Sequence, residues 1–228
     1  MDLLIYPDAE MVAQQAAALI VQESRNAIAA RGQFTLALSG GSTPWRMLAL
    51  LVQSDFKWEQ VQIFQVDERV APLGDAERNW THLTEALRPC WNRIAPQAHP
   101  MPVDNVNLQA AAADYATTLT QYADQPPVLD LVHLGLGADG HTASLVPGDP
   151  LLSVTDRDVA VTLPYQNHVR MTLTLPVLNR ARRRLWVVTG AQKREALNRL
   201  LQSDPAIPAG QVRAAAATIL ADRDAVGA

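Results

Sequence analysis

The feature that most constrains the fold is an apolar run over residues 128–136 that breaks into glycines at its end. Such a run is typical of a strand that is buried on both faces of a parallel sheet. Open parallel sheets bind ligands at the carboxyl ends of their strands, so the glycines indicate a ligand-binding loop. Asp139 and His141 lie among these glycines. A histidine held there is suited to general base catalysis near neutral pH.

The letters of residues 135–140 also satisfy the pattern G-x-G-x-x-G, which is typical of dinucleotide-binding loops. That motif requires a long helix beginning at its third glycine, whereas Pro147, Gly148 and Pro150 end any helix here within about two turns. We therefore do not expect dinucleotide binding. A purely structural connection, in which His141 has no chemical role, is the alternative that this loop alone leaves open.

Apolar strands alternate with helices along the whole chain. The strands are predicted over residues 3–6, 34–38, 61–66, 128–136, 158–163, 170–175 and 184–189. The helices are predicted over residues 8–31, 45–53, 77–87, 107–123, 176–182, 194–201 and about 211–222. This alternation predicts an α/β fold with a mainly parallel sheet that is covered by helices on both faces. We expect one domain over residues 1–228, with a small additional lobe over residues 148–165 as an open alternative.

A second glycine-containing loop follows the strand predicted over residues 34–38. It consists of Ser39, Gly40, Gly41, Ser42, Thr43 and Pro44 and leads into a helix. The amino end of a helix offers unpaired N–H groups and the positive end of the helix dipole, so it binds phosphate well. The alternative is an ordinary capped turn in which Ser39, Ser42 or Thr43 caps the helix.

Charged residues stand near the ends of three further strands. Asp67, Glu68 and Arg69 follow the third predicted strand, where they form either a solvated rim or part of a site. Arg170 begins the sixth strand, and Lys193 follows the seventh. Cations from several strand ends bind one anion only if the sheet brings them together.

Bulk properties narrow the class of partner and the compartment. The formal net charge of −4 argues against nucleic acid as the main partner. No apolar run approaches the ~20 residues of a membrane-spanning helix, and the first residues lack the basic region of a secretory signal. Cys90 is the single cysteine, which favours a reducing compartment. We therefore expect a cytoplasmic protein that binds neither nucleic acid nor a membrane. For the oligomeric state, both a monomer and a homodimer are open.

Four blocks of the sequence together resemble one family, 6-phosphogluconolactonase, which shares a Rossmann-like superfamily with glucosamine-6-phosphate deaminase. These blocks are residues 38–44; Asp67-Glu68-Arg69 with Pro72 and Asn79; residues 135–148; and residues 170–179. Arg69 and the triplet that follows His141 look more like the lactonase than like the deaminase. Two departures concern peripheral contacts, namely Arg78 and the alanine-rich residues 214–217.

The resemblance implies an enzyme, a carboxylic ester hydrolase that converts 6-phospho-D-glucono-1,5-lactone to 6-phosphogluconate in the oxidative pentose phosphate pathway. It implies a sugar-phosphate lactone as the small-molecule partner, with no cofactor and no metal. His141 is expected to take a proton from water and return it to the ring oxygen. Either Asp139 or Asp67 is expected to orient the imidazole.

The resemblance also implies how charge on the substrate is held. Backbone N–H groups at Gly137 and Gly140, or a neighbouring cation, are expected to stabilise the oxyanion, at ~3 kcal/mol per donor. The residues expected to bind substrate and phosphate are Ser39, Gly40, Gly41, Ser42, Thr43, Arg69, Arg170 and Lys193. For Lys193, an exposed position with no contact is the alternative.

Two other functions remain open at this level. The first is a deaminase or isomerase of the same superfamily, in which Asp67 abstracts a proton next to a carbonyl and His141 assists ring opening. The second is a non-catalytic module that binds a sugar phosphate in the same pocket.

Overall fold

Ten strands and eight α-helices make up the computed structural model, which describes residues 1–227. The strands are β1 (Asp2–Tyr6), β2 (Phe34–Leu38), β3 (Val61–Gln65), β4 (Asp67–Arg69), β5 (Ala98–His99), β6 (Leu131–Leu134), β7 (Val159–Val161), β8 (Arg170–Leu173), β9 (Arg183–Val188) and β10 (Ala217–Asp222). The helices are α1 (Ala9–Arg31), α2 (Ser42–Val52), α3 (Asn79–Ala86), α4 (Trp91–Ile94), α5 (Leu108–Tyr122), α6 (Leu175–Arg180), α7 (Arg194–Leu201) and α8 (Arg223–Val226).

Seven strands form one parallel sheet in the order β1-β10-β9-β6-β2-β3-β5. From β2 the chain moves outward through β3 to β5, and it then returns to β6 on the other side of β2. The strand order therefore reverses between β2 and β6. In open parallel sheets the crevice at such a reversal is where ligands bind. The predicted α/β class with a mainly parallel sheet is confirmed.

A second, smaller sheet is antiparallel and has the order β4-β8-β7. It stands at the carboxyl edge of the large sheet, because Val66 connects β3 to β4 directly. The N–H of Leu173 donates to the carbonyl of Val66 at 2.8 Å, and the N–H of Val66 donates to the carbonyl of Leu38 at 2.9 Å. The small sheet thereby places the ends of β4 and β8 beside the loops that follow β2 and β6.

Each face of the large sheet has its own hydrophobic cluster, because successive side chains of a strand point to opposite faces. In β6, Leu131 belongs to the cluster under α1 and α2, whereas Val132 and Leu134 belong to the cluster under α5, α6 and α7. A buried side chain of this size stabilises the fold by roughly 1.5–3 kcal/mol relative to an exposed one. Within residues 1–227, no helix has both the length and the apolar character needed to cross a bilayer.

The helix predicted over residues 211–222 is wrong, because the chain forms β10 there. All six residues of β10 are buried between β1 and β9, so both of its faces need apolar side chains. A strand buried on both faces shows no alternation and cannot be told from a buried helix by periodicity. The run of alanines at residues 214–217 favours a helix by propensity, and the pairing with two neighbouring strands overrides that preference.

Several predicted boundaries also move. Helix α2 begins at Ser42 rather than at Trp45, and α3 is shorter than the predicted 77–87. Strand β6 is shorter than the predicted 128–136, because the glycines after Leu134 form a loop rather than strand. The prediction for α7 agrees residue for residue with the structure.

Candidate active site

A cavity of about 340 Å³ opens at the reversal of strand order between β2 and β6. Its lining consists of Ser39, Gly40, Gly41, Trp45, Asp67, Arg69, Asn79, His82, Gly135, Leu136, Gly137, His141, Ala143, Gln166, Arg170 and Lys193. Segments that are far apart in the sequence therefore meet where the sheet topology predicts a ligand site. Nine of the thirteen residues that the sequence predicts as catalytic or binding residues lie in this lining.

The loop after β6 brings His141 and Asp139 together. Asp139 Oδ1 lies 2.6 Å from Nδ1 of His141 and accepts the backbone N–H of the same residue at 3.1 Å. Gly137 packs so closely against the imidazole and the carboxylate that a Cβ at this position would overlap both. The loop therefore needs glycine at residue 137 because the histidine–aspartate pair occupies that space.

Asp139 is the carboxylate that contacts the imidazole. Burial opposes ionisation of Asp139, but hydrogen bonds from His141 and Tyr165 and the nearby imidazole charge hold the pKa of Asp139 below its ordinary value. A charged carboxylate on Nδ1 fixes the imidazole so that Nε2 is the nitrogen available for proton transfer.

Asp67 lines the cavity but has a different partner. Its Oδ2 accepts a hydrogen bond from Ser144 Oγ at 2.6 Å. Burial raises the pKa of Asp67, and the neighbouring Glu68 adds to this rise, while Ser144, Arg170 and Arg69 oppose it. Of the two carboxylates that the sequence offered as partners of His141, Asp67 therefore belongs to a separate hydrogen-bonded group.

Glu68 points away from the cavity, since the side chains of β4 alternate. Its two carboxylate oxygens accept four N–H donors at 2.8 Å each: the backbone of Arg69, Asn79 and Trp80 and the amide of Gln65. Two of these are the first N–H groups of α3, so Glu68 caps that helix from another segment. Glu68 is completely buried.

Arg78, where the sequence departs from the family pattern, is the buried cation next to Glu68. Its Nε lies 3.7 Å from Glu68 Oε2, and its Nη1 donates to both oxygens of Asp104 at 2.9 Å. Its side chain is only 1% exposed. The buried charge of Glu68 thus has a cationic neighbour, which is the usual condition for a carboxylate in a protein interior.

The amino end of α2 carries no side-chain cap. Its capping residue is Gly41, and no side chain of residues 1–227 bonds the free N–H groups of the first turn. This differs from the capped turn that the sequence left open; Gly41 itself lines the cavity, so the positive end of the helix dipole lies beside it. Neither Ser42 nor Thr43 lines the cavity, contrary to expectation, and Thr43 Oγ1 instead lies 2.9 Å from Thr189 Oγ1.

A buried histidine of β6, His133, forms hydrogen bonds with Ser39 at the start of the loop between β2 and α2. Ser39 N donates to His133 Nδ1 at 3.3 Å, and Ser39 Oγ donates to the carbonyl of His133 at 3.1 Å. Burial lowers the pKa of His133 from 6.5 to about 4, so the imidazole is neutral in the folded protein.

We expect this histidine to make the fold sensitive to acid. Between pH 6.5 and pH 4 the unfolded chain binds a proton on His133 that the folded chain excludes. Stability therefore falls as the pH drops through this window. From about pH 7 to about pH 4.5, the wild type should lose about 2 kcal/mol more unfolding free energy than His133→Asn.

Urea denaturation at several pH values measures this difference. Asparagine keeps an acceptor for Ser39 N but does not titrate. Equal pH dependence in the two proteins would contradict the assignment.

Three cations face the cavity: Arg170 and Lys193 form no ion pair within residues 1–227, whereas the Nε of Arg69 lies 3.8 Å from a carboxylate oxygen of Glu77. Arg170 is 5% exposed, its Nε has no partner in the described chain, and no carboxylate of residues 1–227 forms an ion pair with it. Burial and the neighbouring Arg69 lower the pKa of Arg170, while burial lowers the pKa of the half-buried Lys193. Positive charge that the protein leaves uncompensated in a cavity indicates an anionic ligand.

Comparison with known proteins shows the family to which the chain belongs. Residues 7–220 match a family model described as glucosamine-6-phosphate isomerases/6-phosphogluconolactonase. The chain belongs to this family. A 6-phosphogluconolactonase of Synechocystis sp. is 35% identical over 214 residues, which cover 90% of this chain and 86% of that protein. A 6-phosphogluconolactonase of Rattus norvegicus is 36% identical over 219 residues, with 90% and 80% covered.

A solved structure agrees with this membership. The crystal structure of a 6-phosphogluconolactonase from Shewanella baltica has a TM-score of 0.85 at 26% identity and covers 97% of both chains. The family resemblance expected from the sequence is confirmed, and with it the expectation of an enzyme. As a member of the glucosamine-6-phosphate isomerase/6-phosphogluconolactonase family, the chain carries its cavity at the reversal point of a shared α/β fold.

One expectation for this family member does not agree with the structure. The N–H of Gly137 donates to the carbonyl of His141 at 2.8 Å, and the N–H of Gly140 donates to the carbonyl of Gly137 at 3.0 Å. Both donors are therefore occupied within the loop. Gly140 does not line the cavity and instead packs against Ile207 with a φ of 85°. Of the two oxyanion partners considered, the geometry favours a cationic side chain.

The sequence interpretation missed several cavity residues. Trp45 and His82 stack at 5.6 Å between ring centroids. Asn79 Nδ2 donates to the carbonyl of Asp67 at 3.0 Å, and its side chain lies so close to Gly40 that a Cβ there would overlap it. Neither the Trp45–His82 pair nor the Asn79–Gly40 contact follows from spacing, because each joins separate segments. Gln166 was also missed, because no glycine-containing hairpin dipeptide marks the turn between the two alternating strands.

Proposed function

We propose that the chain hydrolyses 6-phospho-D-glucono-1,5-lactone to 6-phospho-D-gluconate, as an enzyme of the oxidative pentose phosphate pathway. The single observation that carries this proposal is the shared cavity of His141, with its aspartate partner, and of Arg170 and Lys193. A base and an anion-binding group at a common cavity suit a substrate that has a phosphate at one end and an activated ester at the other.

The phosphate is bound by Arg170 and Lys193, with Arg69 and the uncapped amino end of α2 as further partners. Arg170 supplies a planar guanidinium that matches phosphate oxygens, and no ion pair within residues 1–227 uses its charge. The lysine supplies a compact charge. Binding of the dianion would offset the mutual repulsion of the two arginines, which lie close enough to lower the pKa of Arg170.

The chemical step requires a base that becomes an acid. His141 takes a proton from water as the water oxygen attacks C1 of the lactone, which forms a tetrahedral oxyanion. A neighbouring cation stabilises this charge. The bond from C1 to the ring oxygen then breaks, and His141 returns the proton to that oxygen. Asp139 stabilises the imidazolium between the two transfers. Asp67 accepts a hydrogen bond from a substrate hydroxyl.

We expect purified protein to accelerate loss of freshly prepared lactone above its spontaneous rate. Product formation can be followed by an NADP-dependent dehydrogenase that consumes 6-phosphogluconate, with the uncatalysed rate subtracted. Inorganic phosphate should inhibit competitively, because it occupies the cation site. No acceleration of lactone loss would refute the proposal.

Two rivals give different results in the same experiments. A deaminase releases ammonia from glucosamine 6-phosphate, and a non-catalytic module shows a ligand-dependent rise in melting temperature without turnover. The Asp139–His141 pair favours an enzyme over a module, since a binding pocket does not need an oriented base.

We further propose the cytoplasm as the working compartment, since the single cysteine is buried and unpaired. The expectations of a monomer or homodimer and of one domain remain predictions.

A further inference from the structure

Tyr165 is held at the end of a hairpin that reaches the cavity. Strands β7 and β8 pair in antiparallel fashion, and the hairpin closes with Tyr165 N donating to the carbonyl of His168 at 2.9 Å. The two residues of the turn, Gln166 and Asn167, have φ values of 49° and 65°. Positive φ at both central residues is typical of the tight turn that matches strand twist. The hairpin therefore fixes the backbone of Tyr165.

The side chain of Tyr165 contacts both parts of the site. Its hydroxyl donates to Asp139 Oδ2 at 3.0 Å and accepts from Gln166 Nε2 at 3.2 Å. The other oxygen of Asp139 is the one bonded to His141. The tyrosine ring lies edge-on to the imidazole at 6.0 Å, and the guanidinium carbon of Arg170 lies 5.0 Å from the centre of the ring.

We propose that Tyr165 is a positioning residue that fixes the Asp139–His141 pair relative to Arg170. This inference rests on the proposed function and deepens it. The hydroxyl prevents the carboxylate of Asp139 from rotating, so its Oδ1 stays on the imidazole. The ring, through a cation–π contact, holds the guanidinium that receives the phosphate. One side chain thus sets the distance between the base and the anion site.

The charge around Asp139 gives the hydroxyl a measurable effect. The charged and titratable groups near this carboxylate are His141, Tyr165 and, at longer range, Lys193, while the guanidinium of Arg170 lies 5.0 Å from the centre of the tyrosine ring. A hydroxyl donor withdraws negative charge from the carboxylate. Without it, the carboxylate of Asp139 keeps more of its negative charge beside the imidazole and is free to rotate, so proton transfer by His141 is less efficient.

The test uses Tyr165→Phe, which removes the hydroxyl and keeps the ring. We expect kcat for 6-phosphogluconolactone to fall about 10-fold, with KM changed by less than about 2-fold. Tyr165→Leu also removes the ring, so KM should rise in addition to the fall in kcat.

The matched control is Tyr122→Phe, because Tyr122 packs against Phe64 and His99 and does not line the cavity. Its kinetics should equal those of the wild type, and all variants should keep their melting temperature. If the wild type has no lactonase activity, the proposed function fails. If the wild type is active but Tyr165→Phe matches it in kcat, the role of Tyr165 is refuted.

Discussion

Replacement of His141 by alanine is expected to lower kcat for 6-phosphogluconolactone by about 10³-fold, which is within the range for loss of a general base. His141 is the cavity histidine that a carboxylate orients, through a contact of 2.6 Å to Asp139. The side chain is partly exposed, so its removal leaves no core cavity and should change the melting temperature by less than about 2 °C.

Two further variants make this result specific. His82 also lines the cavity, but its Nε2 lies 2.8 Å from the carbonyl of Ala76 rather than from a carboxylate. His82→Ala should therefore cost far less activity than His141→Ala. Asp139→Asn keeps the size of the side chain and removes its charge, so kcat should fall while KM changes little. If both histidine variants lose activity equally, the assignment of the base to His141 is wrong.

Replacement of Arg170 by alanine is expected to raise KM by about 100-fold, in line with loss of a charged partner from a buried site. The guanidinium belongs to a residue that lines the cavity, its buried Nε has no hydrogen-bond partner within residues 1–227, and no ion pair there uses its charge. Turnover should change by less than about 3-fold, because the base and its aspartate remain in place. Steady-state kinetics with fresh lactone separate the two constants.

Unphosphorylated glucono-1,5-lactone tests whether Arg170 recognises the phosphate. Wild type and Arg170→Ala should hydrolyse this compound with similar kcat/KM, since neither protein gains binding energy from a group that is absent. Arg170→Lys should lie between the two with the phosphorylated lactone, because lysine keeps the charge but loses the planar pair of donors. An equal loss on both lactones would show that Arg170 acts on the sugar or on the fold.

The sequence was sufficient for the parts of the site that lie directly after strands of the large sheet. The loops at residues 39–41 and 135–141 follow β2 and β6, and parallel topology brings such ends together. It was insufficient where a partner comes from a distant segment. The contact of Asn79 with Gly40 and that of Tyr165 with Asp139 depend on how the small sheet docks. Strand β10 was missed because burial on both faces removes the periodicity that identifies a strand.

The side chains of the three residues in β4 point alternately towards the cavity and away from it, so neighbouring residues have different roles. Asp67 and Arg69 serve the cavity, while Glu68 anchors the start of α3. A single residue inserted before this triplet would turn all three side chains over, burying an unpaired aspartate and arginine and expelling the helix anchor. The exposed connection at residues 72–76 should therefore tolerate insertions far better than the junction at Val66. In a library of one-residue insertions across this region, variants with an insertion at the junction should be absent from the folded fraction.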